Sequence, residues 1–145
     1  MIKLAGVDEC DEIMKIFRQY PKIFPHIRKD KIEAQIEKSN VLYDEGVVIT
    51  FGKYQKRVHL GNIDIHRSAW ILHQIVNREP GNGKTLSVLR KFLNYIDNDL
   101  YLTVRADNTR ARNFYEKQGF KEVSDISWKS GEIKGKIYCK KFLVV

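Results

Sequence analysis

The sequence predicts a single domain of the α/β (α+β) class, in which helices and strands alternate along the chain. Its 145 residues are enough for one hydrophobic core and too few for two separate domains. A content of 43% hydrophobic and 30% charged residues is ordinary for a soluble globular protein. Helical and extended hydrophobic patterns follow one another without a repeat, a linker or a low-complexity tract. We therefore expect residues 1–145 to form one domain.

The first half of the chain predicts a short strand, two helices and a pair of strands. The strand covers residues 2–5, and the helix after it shows apolar residues at helical spacing. These apolar residues are Ile13, Ile16, Phe17 and Tyr20. Two prolines then interrupt the chain, and a second helix is predicted over residues 30–38. Residues 41–54 predict extended chain that is broken by a turn at Asp44-Glu45-Gly46.

The second half predicts two strands, each followed by a helix, and then a hairpin. Residues 69–76 are dense in apolar side chains, which is typical of a central strand buried on both faces. A glycine-rich turn follows, and residues 85–96 have the hydrophobic period of a helix. A strand over residues 100–104 leads into a helix that begins near Asn108. Residues 121–145 predict the two strands of the hairpin.

The helix after the second of these strands carries the most specific motif of the chain. Residues 108–120 read N-x-x-A-x-x-F-Y-x-K-x-G-F. This motif resembles the cofactor-binding helix of the GNAT superfamily of N-acetyltransferases, which transfer acyl groups from coenzyme A to amines. The alternative is a plain amphipathic helix that buries Ala111, Phe114 and Tyr115 and ends at Gly119. That alternative leaves Asn108 at the strand exit without an explanation.

The resemblance has implications for fold and activity. It implies the GNAT fold, in which a mixed and mostly antiparallel central sheet is flanked by helices. It also implies a GNAT-type N-acyltransferase of the EC 2.3.1 class. Such an enzyme uses acetyl-CoA or another acyl-CoA as co-substrate, needs no metal, and transfers the acyl group directly to a primary amine. The acceptor amine would belong to a small molecule or to a protein.

The turn after the central strand resembles the second GNAT signature, R/Q-x-x-G-x-G/A. Residues 78–83 read Arg-Glu-Pro-Gly-Asn-Gly. Consecutive backbone N–H groups at a helix start can bind a pyrophosphate together, and glycine lets the backbone approach it closely. Arg78 lies only two residues after Val76, which is a shorter spacing than is usual in the family. A P-loop ending at Gly83-Lys84-Thr85 is disfavoured, because that motif requires glycine where the chain has Arg78.

The resemblance gives roles to the candidate site residues. The residues implied to bind the cofactor are Val76, Arg78, Gly81, Asn82, Gly83, Lys84, Asn108 and Arg112. Tyr115 stands where the family places the tyrosine that protonates the departing thiolate. A backbone N–H near residues 75–77 would stabilise the oxyanion. Neither motif designates a base. His73 on the central strand is the first candidate, with a hydrogen-bonded core histidine as the alternative, and Glu79 and Asp107 are further candidates.

Two alternative functions remain open, and the net charge supports the first of them. A formal charge of +8 favours polyanionic partners, although a solvated basic surface explains it as well. The first alternative is therefore an acyltransferase that acts on nucleic acid, such as a tRNA-linked amine or a modified base. The second is a non-catalytic module that binds coenzyme A or nucleic acid. We expect a monomer or a homodimer in each case.

The cysteines and the hydropathy indicate the cellular compartment of the protein. Cys10 and Cys139 form no disulfide or metal-binding pattern, so we expect reduced, buried thiols. No apolar run approaches the roughly 20 residues that a membrane span requires. The first residues lack the pattern of a secretory signal. The sequence therefore predicts a cytoplasmic protein.

Overall fold

The computed structural model describes residues 2–143, which form four α-helices and eight strands. The helices are α1 (Cys10–Phe17), α2 (Lys29–Glu37), α3 (Lys84–Tyr95) and α4 (Thr109–Lys117). The strands are β1 (Val41–Asp44), β2 (Val47–Lys53), β3 (Val58–Leu60), β4 (Ile63–Ile65), β5 (Trp70–Asn77), β6 (Leu100–Arg105), β7 (Lys121–Trp128) and β8 (Ile133–Lys140). The described residues form two compact units. The first consists of residues 2–51 and 73–96, and the second of residues 52–72 and 97–143.

The core of the first unit is built by the apolar faces of α1 and α2 against strands β1, β2 and β5. Ile13, Phe17 and Ile32 are at most 1% exposed and belong to one cluster with Val48 of β2 and Val76 of β5. Burial of each such side chain contributes about 1.5–3 kcal/mol. The predicted helix is confirmed for Ile13, Ile16 and Phe17, but α1 ends at Phe17 and Tyr20 lies beyond it. A 3₁₀ turn with acidic residues precedes α1.

Residues 2–5 do not form the predicted strand. Leu4 makes a single antiparallel bridge to Leu42, and the Ala5 N–H donates to the carbonyl of Val41 at 2.9 Å. The 3₁₀ turn Val7–Glu9 begins at once after Gly6, so the extended segment is too short to pair further. The turn at residues 44–46 is present, with positive φ angles at Glu45 and Gly46 between the antiparallel strands β1 and β2.

The second unit contains a small hairpin that the sequence did not predict. Strands β3 and β4 pair antiparallel around Gly61, which has a φ of +57°. A Cβ atom on Gly61 would collide with the carbonyl oxygen of Asp125, so the turn lies directly against β7. Each strand has only three residues, too few to show a period in the sequence.

The predicted mixed sheet is confirmed. Six strands are hydrogen-bonded in the order β1-β2-β5-β6-β8-β7, with β5 and β6 parallel and the pairs β6–β8 and β7–β8 antiparallel. Cys139 of β8 is buried, and Cys10 of α1 is buried as well, as predicted. The end of the predicted last strand, Val144 and Val145, lies outside the described residues. No helix within residues 2–143 is both long and apolar enough to cross a membrane.

Candidate active site

The glycine loop in the first unit has the backbone conformation that its sequence indicates. Gly81 and Gly83 have φ angles of +84° and +79°, a region that favours glycine because it has no Cβ atom. Gly83 is the N-cap residue of α3. A Cβ atom on either glycine would meet no protein atom within 4 Å. The loop therefore leaves open space beside its own backbone.

The loop also presents free backbone donors. Among the described residues, no acceptor is bonded to the N–H groups of Gly81, Asn82 or Gly83. The N–H of Lys84 is occupied, because it donates to the side-chain oxygen of Asn82 at 2.9 Å. Unpaired N–H groups at the N-terminus of a twelve-residue helix attract anions, since the helix dipole adds to their partial charges.

Asn77, the last residue of β5, holds the loop in place. The residue is 8% exposed, and its side-chain amide donates to Asn82 Oδ1 at 2.9 Å and to Thr85 Oγ1 at 3.0 Å. Its Oδ1 accepts from the N–H of Glu79 at 2.9 Å, and its carbonyl accepts from the Tyr20 hydroxyl at 2.6 Å. Sequence reasoning missed this role, because a single Asn at a strand end carries no pattern.

Two basic side chains predicted to bind the cofactor contact the β1–β2 turn instead of projecting freely. The Lys84 ammonium lies 3.0 Å from Glu45 Oε1 in a partly exposed ion pair. The Arg78 N–H donates to the carbonyl of Gly46 at 2.9 Å, and its guanidinium packs over that glycine. Strand β5 ends at Asn77, so Arg78 follows it directly. The short spacing noted in the sequence is real.

His73 and Val76 lie on the strand that leads into the loop. The His73 side chain is exposed but lines a recess, and the surrounding protein lowers its pKa from the ordinary 6.5 by desolvation. A lowered pKa keeps the imidazole neutral near pH 7. Val76 is 6% exposed and packs in the core of the first unit. Any cofactor contact by Val76 would therefore involve its backbone.

In the second unit, Asn108 is the N-cap of α4. Its side-chain oxygen accepts from the N–H of Ala111 at 3.1 Å. Asparagine is a preferred N-cap residue, because its side chain satisfies one of the unpaired donors of the first turn. The amphipathic-helix alternative therefore explains Asn108 after all, and its presence alone does not indicate a cofactor.

Tyr115 lies on α4 in an aromatic cluster. Its ring makes edge contacts with Phe114 and Phe120 at centroid distances of 5.4 Å. The residue is 7% exposed, and burial raises the pKa of its hydroxyl to about 12. No described residue forms a hydrogen bond with that hydroxyl.

The Arg112 side chain, predicted to bind the cofactor, forms hydrogen bonds within the protein. Its guanidinium donates to the Tyr138 hydroxyl at 3.0 Å, to the carbonyl of Ala106 at 2.9 Å and to Glu122 at 3.2 Å. The same Tyr138 hydroxyl donates to Glu116 at 2.8 Å. These bonds tie α4 to the sheet of its unit, which is a structural role that the sequence did not suggest.

Solved structures resemble the chain over nearly its whole length. An acetyltransferase of the GNAT family from Streptococcus agalactiae 2603 has a TM-score of 0.79 at 14% identity, covering 99% of this chain and 96% of its own. The protein has the GNAT fold. A second structure, yncA from Salmonella typhimurium with its cofactor acetyl-CoA, has a TM-score of 0.72 at 13% identity, covering 100% and 95%.

A third GNAT-like structure is the ribosomal-protein-S18-alanine N-acetyltransferase from Escherichia coli, with a TM-score of 0.71 at 14% identity over 100% and 95% of the two chains. No family model matches the sequence, and no curated protein matches it. At identities of 13–14%, the resemblance shows a shared fold. A shared fold does not establish an activity, which depends on this chain's own residues.

Proposed function

We propose that the protein is an acetyl-CoA-dependent N-acyltransferase that acts on a primary amine. The observation that carries the proposal is the glycine loop, with free N–H groups at Gly81, Asn82 and Gly83 before helix α3. Such a set of donors fits a pyrophosphate, and coenzyme A contains one. A protein with the same fold was solved with acetyl-CoA as its cofactor, which supports this choice of ligand.

The proposed reaction is a direct transfer. The neutral amine nitrogen attacks the thioester carbonyl carbon, the carbon–sulfur bond breaks, and an amide bond forms. Coenzyme A leaves as a thiolate, which gains a proton, and the amine nitrogen loses one. A backbone N–H near residues 75–77 would stabilise the oxyanion that forms during the attack.

Two side chains are proposed to assist the transfer. The Tyr115 hydroxyl stays protonated at neutral pH because burial raises its pKa to about 12, so it can donate a hydrogen bond to the departing sulfur. His73 would accept the proton of the amine, directly or through water, because its lowered pKa leaves it neutral. Residues 81–84 would bind the phosphates, with Lys84 released from Glu45.

Thermal unfolding with acetyl-CoA tests the proposal. A ligand at 100 times its dissociation constant stabilises the folded state by about 2.7 kcal/mol. For a chain of this length we expect the melting temperature to rise by roughly 5–10 °C. Gly83→Val should abolish the rise, because it places bulk beside the free donors and strains a residue with positive φ.

Gly131→Val is the matched control. Gly131 also has a positive φ, of +92°, and also has no protein atom within 4 Å of a Cβ position, but it lies in the β7–β8 turn. The Gly131→Val variant should be destabilised about as much as Gly83→Val in the absence of ligand, and it should keep the full rise in melting temperature with acetyl-CoA. A wild-type protein that shows neither a shift nor calorimetric heat with saturating acetyl-CoA would refute the proposal.

A further inference from the structure

A recess of about 520 Å³ opens in the first unit beside strand β5. It is lined by the segment between α1 and α2, by residues of α2, and by His73 and Gln74 of β5. The glycine loop begins immediately after the same strand and contributes no residue to the recess. Its volume lies in the range of small-molecule sites.

Part of the lining is apolar and partly open to solvent. Ile23 is 67% exposed, which is unusual for a large aliphatic side chain at a concave surface. Phe24 and Ile27 are half-buried beside it and pack on the core of the unit. Covering such surface is favourable by about 25 cal/mol for each Å² removed from water. The recess can therefore bind an apolar group.

The charged part of the lining is entirely basic. Arg28 and Lys31 line the recess together with His26, and none of the described lining residues is Asp or Glu. Arg28 is paired with Asp30 through bonds of 3.1 and 2.8 Å, so its charge is compensated. Lys31 has no ion pair or hydrogen bond with any described side chain, which leaves its ammonium available.

We infer that this recess binds the acyl acceptor, and that the acceptor is a small amine carrying both an apolar group and an anionic group. The inference rests on the proposed function for the transfer itself. Lys31 would pair with the anion, and Ile23 and Phe24 would cover the apolar group. An amine with several positive charges, such as a polyamine, is disfavoured because it would face Lys31 without a carboxylate to compensate it.

Calorimetry with a matched pair of probes tests the inference. Phenylalanine and phenylalaninamide share the amine and the ring, and only the first carries a carboxylate. In the presence of coenzyme A we expect phenylalanine to bind about threefold more tightly, the size of effect typical of one solvent-accessible ion pair. Lys31→Gln should remove this preference without changing the affinity for phenylalaninamide. Spermidine should give no heat.

Lys38→Gln is the control, because Lys38 is exposed at the C-terminal end of α2 and does not line the recess. It should keep the preference for phenylalanine. Equal affinity for both probes, binding of neither, or an equal loss in the two lysine variants would overturn the inference.

The acetyl-CoA thermal response, measured on the same proteins, separates the inference from the proposed function. A protein that responds to acetyl-CoA and binds neither probe keeps the function and loses the inferred acceptor. A protein that binds phenylalanine through Lys31 and ignores acetyl-CoA has the ligand site without the proposed transfer.

Discussion

The Tyr115 hydroxyl is a weaker acid than the thiol that forms when the departing thiolate gains a proton. Burial raises its pKa to about 12, whereas an ordinary thiol has a pKa of about 8.5. Complete proton transfer to the thiolate is therefore unfavourable at that pKa. The contribution we expect from the hydroxyl is a hydrogen bond to the sulfur as negative charge develops there, with water supplying the proton afterwards.

Tyr115→Phe should lower kcat by about tenfold to a hundredfold. This range corresponds to a hydrogen bond to a charged group of about 1.5–3 kcal/mol. The ring contacts with Phe114 and Phe120 remain, so the melting temperature and the affinity for acetyl-CoA should change little. Steady-state kinetics together with calorimetry would measure both quantities. Unchanged turnover would reduce Tyr115 to a packing residue.

Single residues were predictable from the sequence only where they belong to a local motif. Gly81 and Gly83 were identified because residues 78–83 resemble a GNAT signature, and their positive φ angles agree with that. Asn77 was not, because its partners include Tyr20, 57 positions away, and the sequence does not show which distant residues meet. Asn108 was identified as a cofactor-binding residue, but its position is explained by its side chain, which caps α4.

The glycine loop is an element whose shape depends on Asn77. Asn77→Asp replaces the two donated bonds to Asn82 and Thr85 with a carboxylate that cannot donate. We expect the free energy of unfolding to fall by about 1–3 kcal/mol, as for other buried polar groups left unpaired. Because the free N–H groups would no longer be held together, the affinity for acetyl-CoA should fall as well. Denaturant unfolding and calorimetry would measure the two effects.

Thr50→Val separates loss of stability from loss of loop geometry. It removes a part-buried bond of 2.7 Å between Thr50 and Gln74 in the same unit and leaves the bonds of Asn77 intact. This variant should be destabilised and bind acetyl-CoA normally. If Asn77→Asp also bound acetyl-CoA normally, Asn77 would stabilise the fold without positioning the loop.

Elements with a strong hydrophobic period were predicted well, and the very short extended segments were not. Helix α3 (Lys84–Tyr95) and strand β6 (Leu100–Arg105) match their predicted ranges within one residue at each end. The β3–β4 hairpin was missed because its strands are three residues long and are stabilised by contact with β7, which is distant in sequence. Such pairings depend on tertiary contacts rather than on local propensity.

At the scale of the whole molecule, the positive charge is distributed unevenly. The second unit has 14 Lys and Arg against 8 Asp and Glu, a net of +6, and the first has 12 against 10, a net of +2. Several cations of the second unit are already paired: Lys136 lies 2.6 Å from Asp125, Lys141 lies 3.2 Å from Asp99, and Lys53 lies 3.5 Å from Asp97. This pairing weakens the field that a nucleic acid would experience.

We therefore expect nucleic acid to bind only through net charge. Gel-shift titration against tRNA and duplex DNA should give dissociation constants of about 10⁻⁴–10⁻⁶ M at physiological salt. Repeated at several salt concentrations, it should show that the affinity falls steeply as salt is added. An unrelated protein of charge +8 should behave alike, because scattered lysines act through the summed charge. Two results together would contradict this expectation. The protein would bind tRNA more than tenfold more tightly than the unrelated protein does, and neutralising Lys129 and Lys134 on the β7–β8 hairpin would reduce the salt dependence of that binding. These results would favour a nucleic-acid acceptor over the small anionic amine, since two phosphate contacts account for a slope change of about two units.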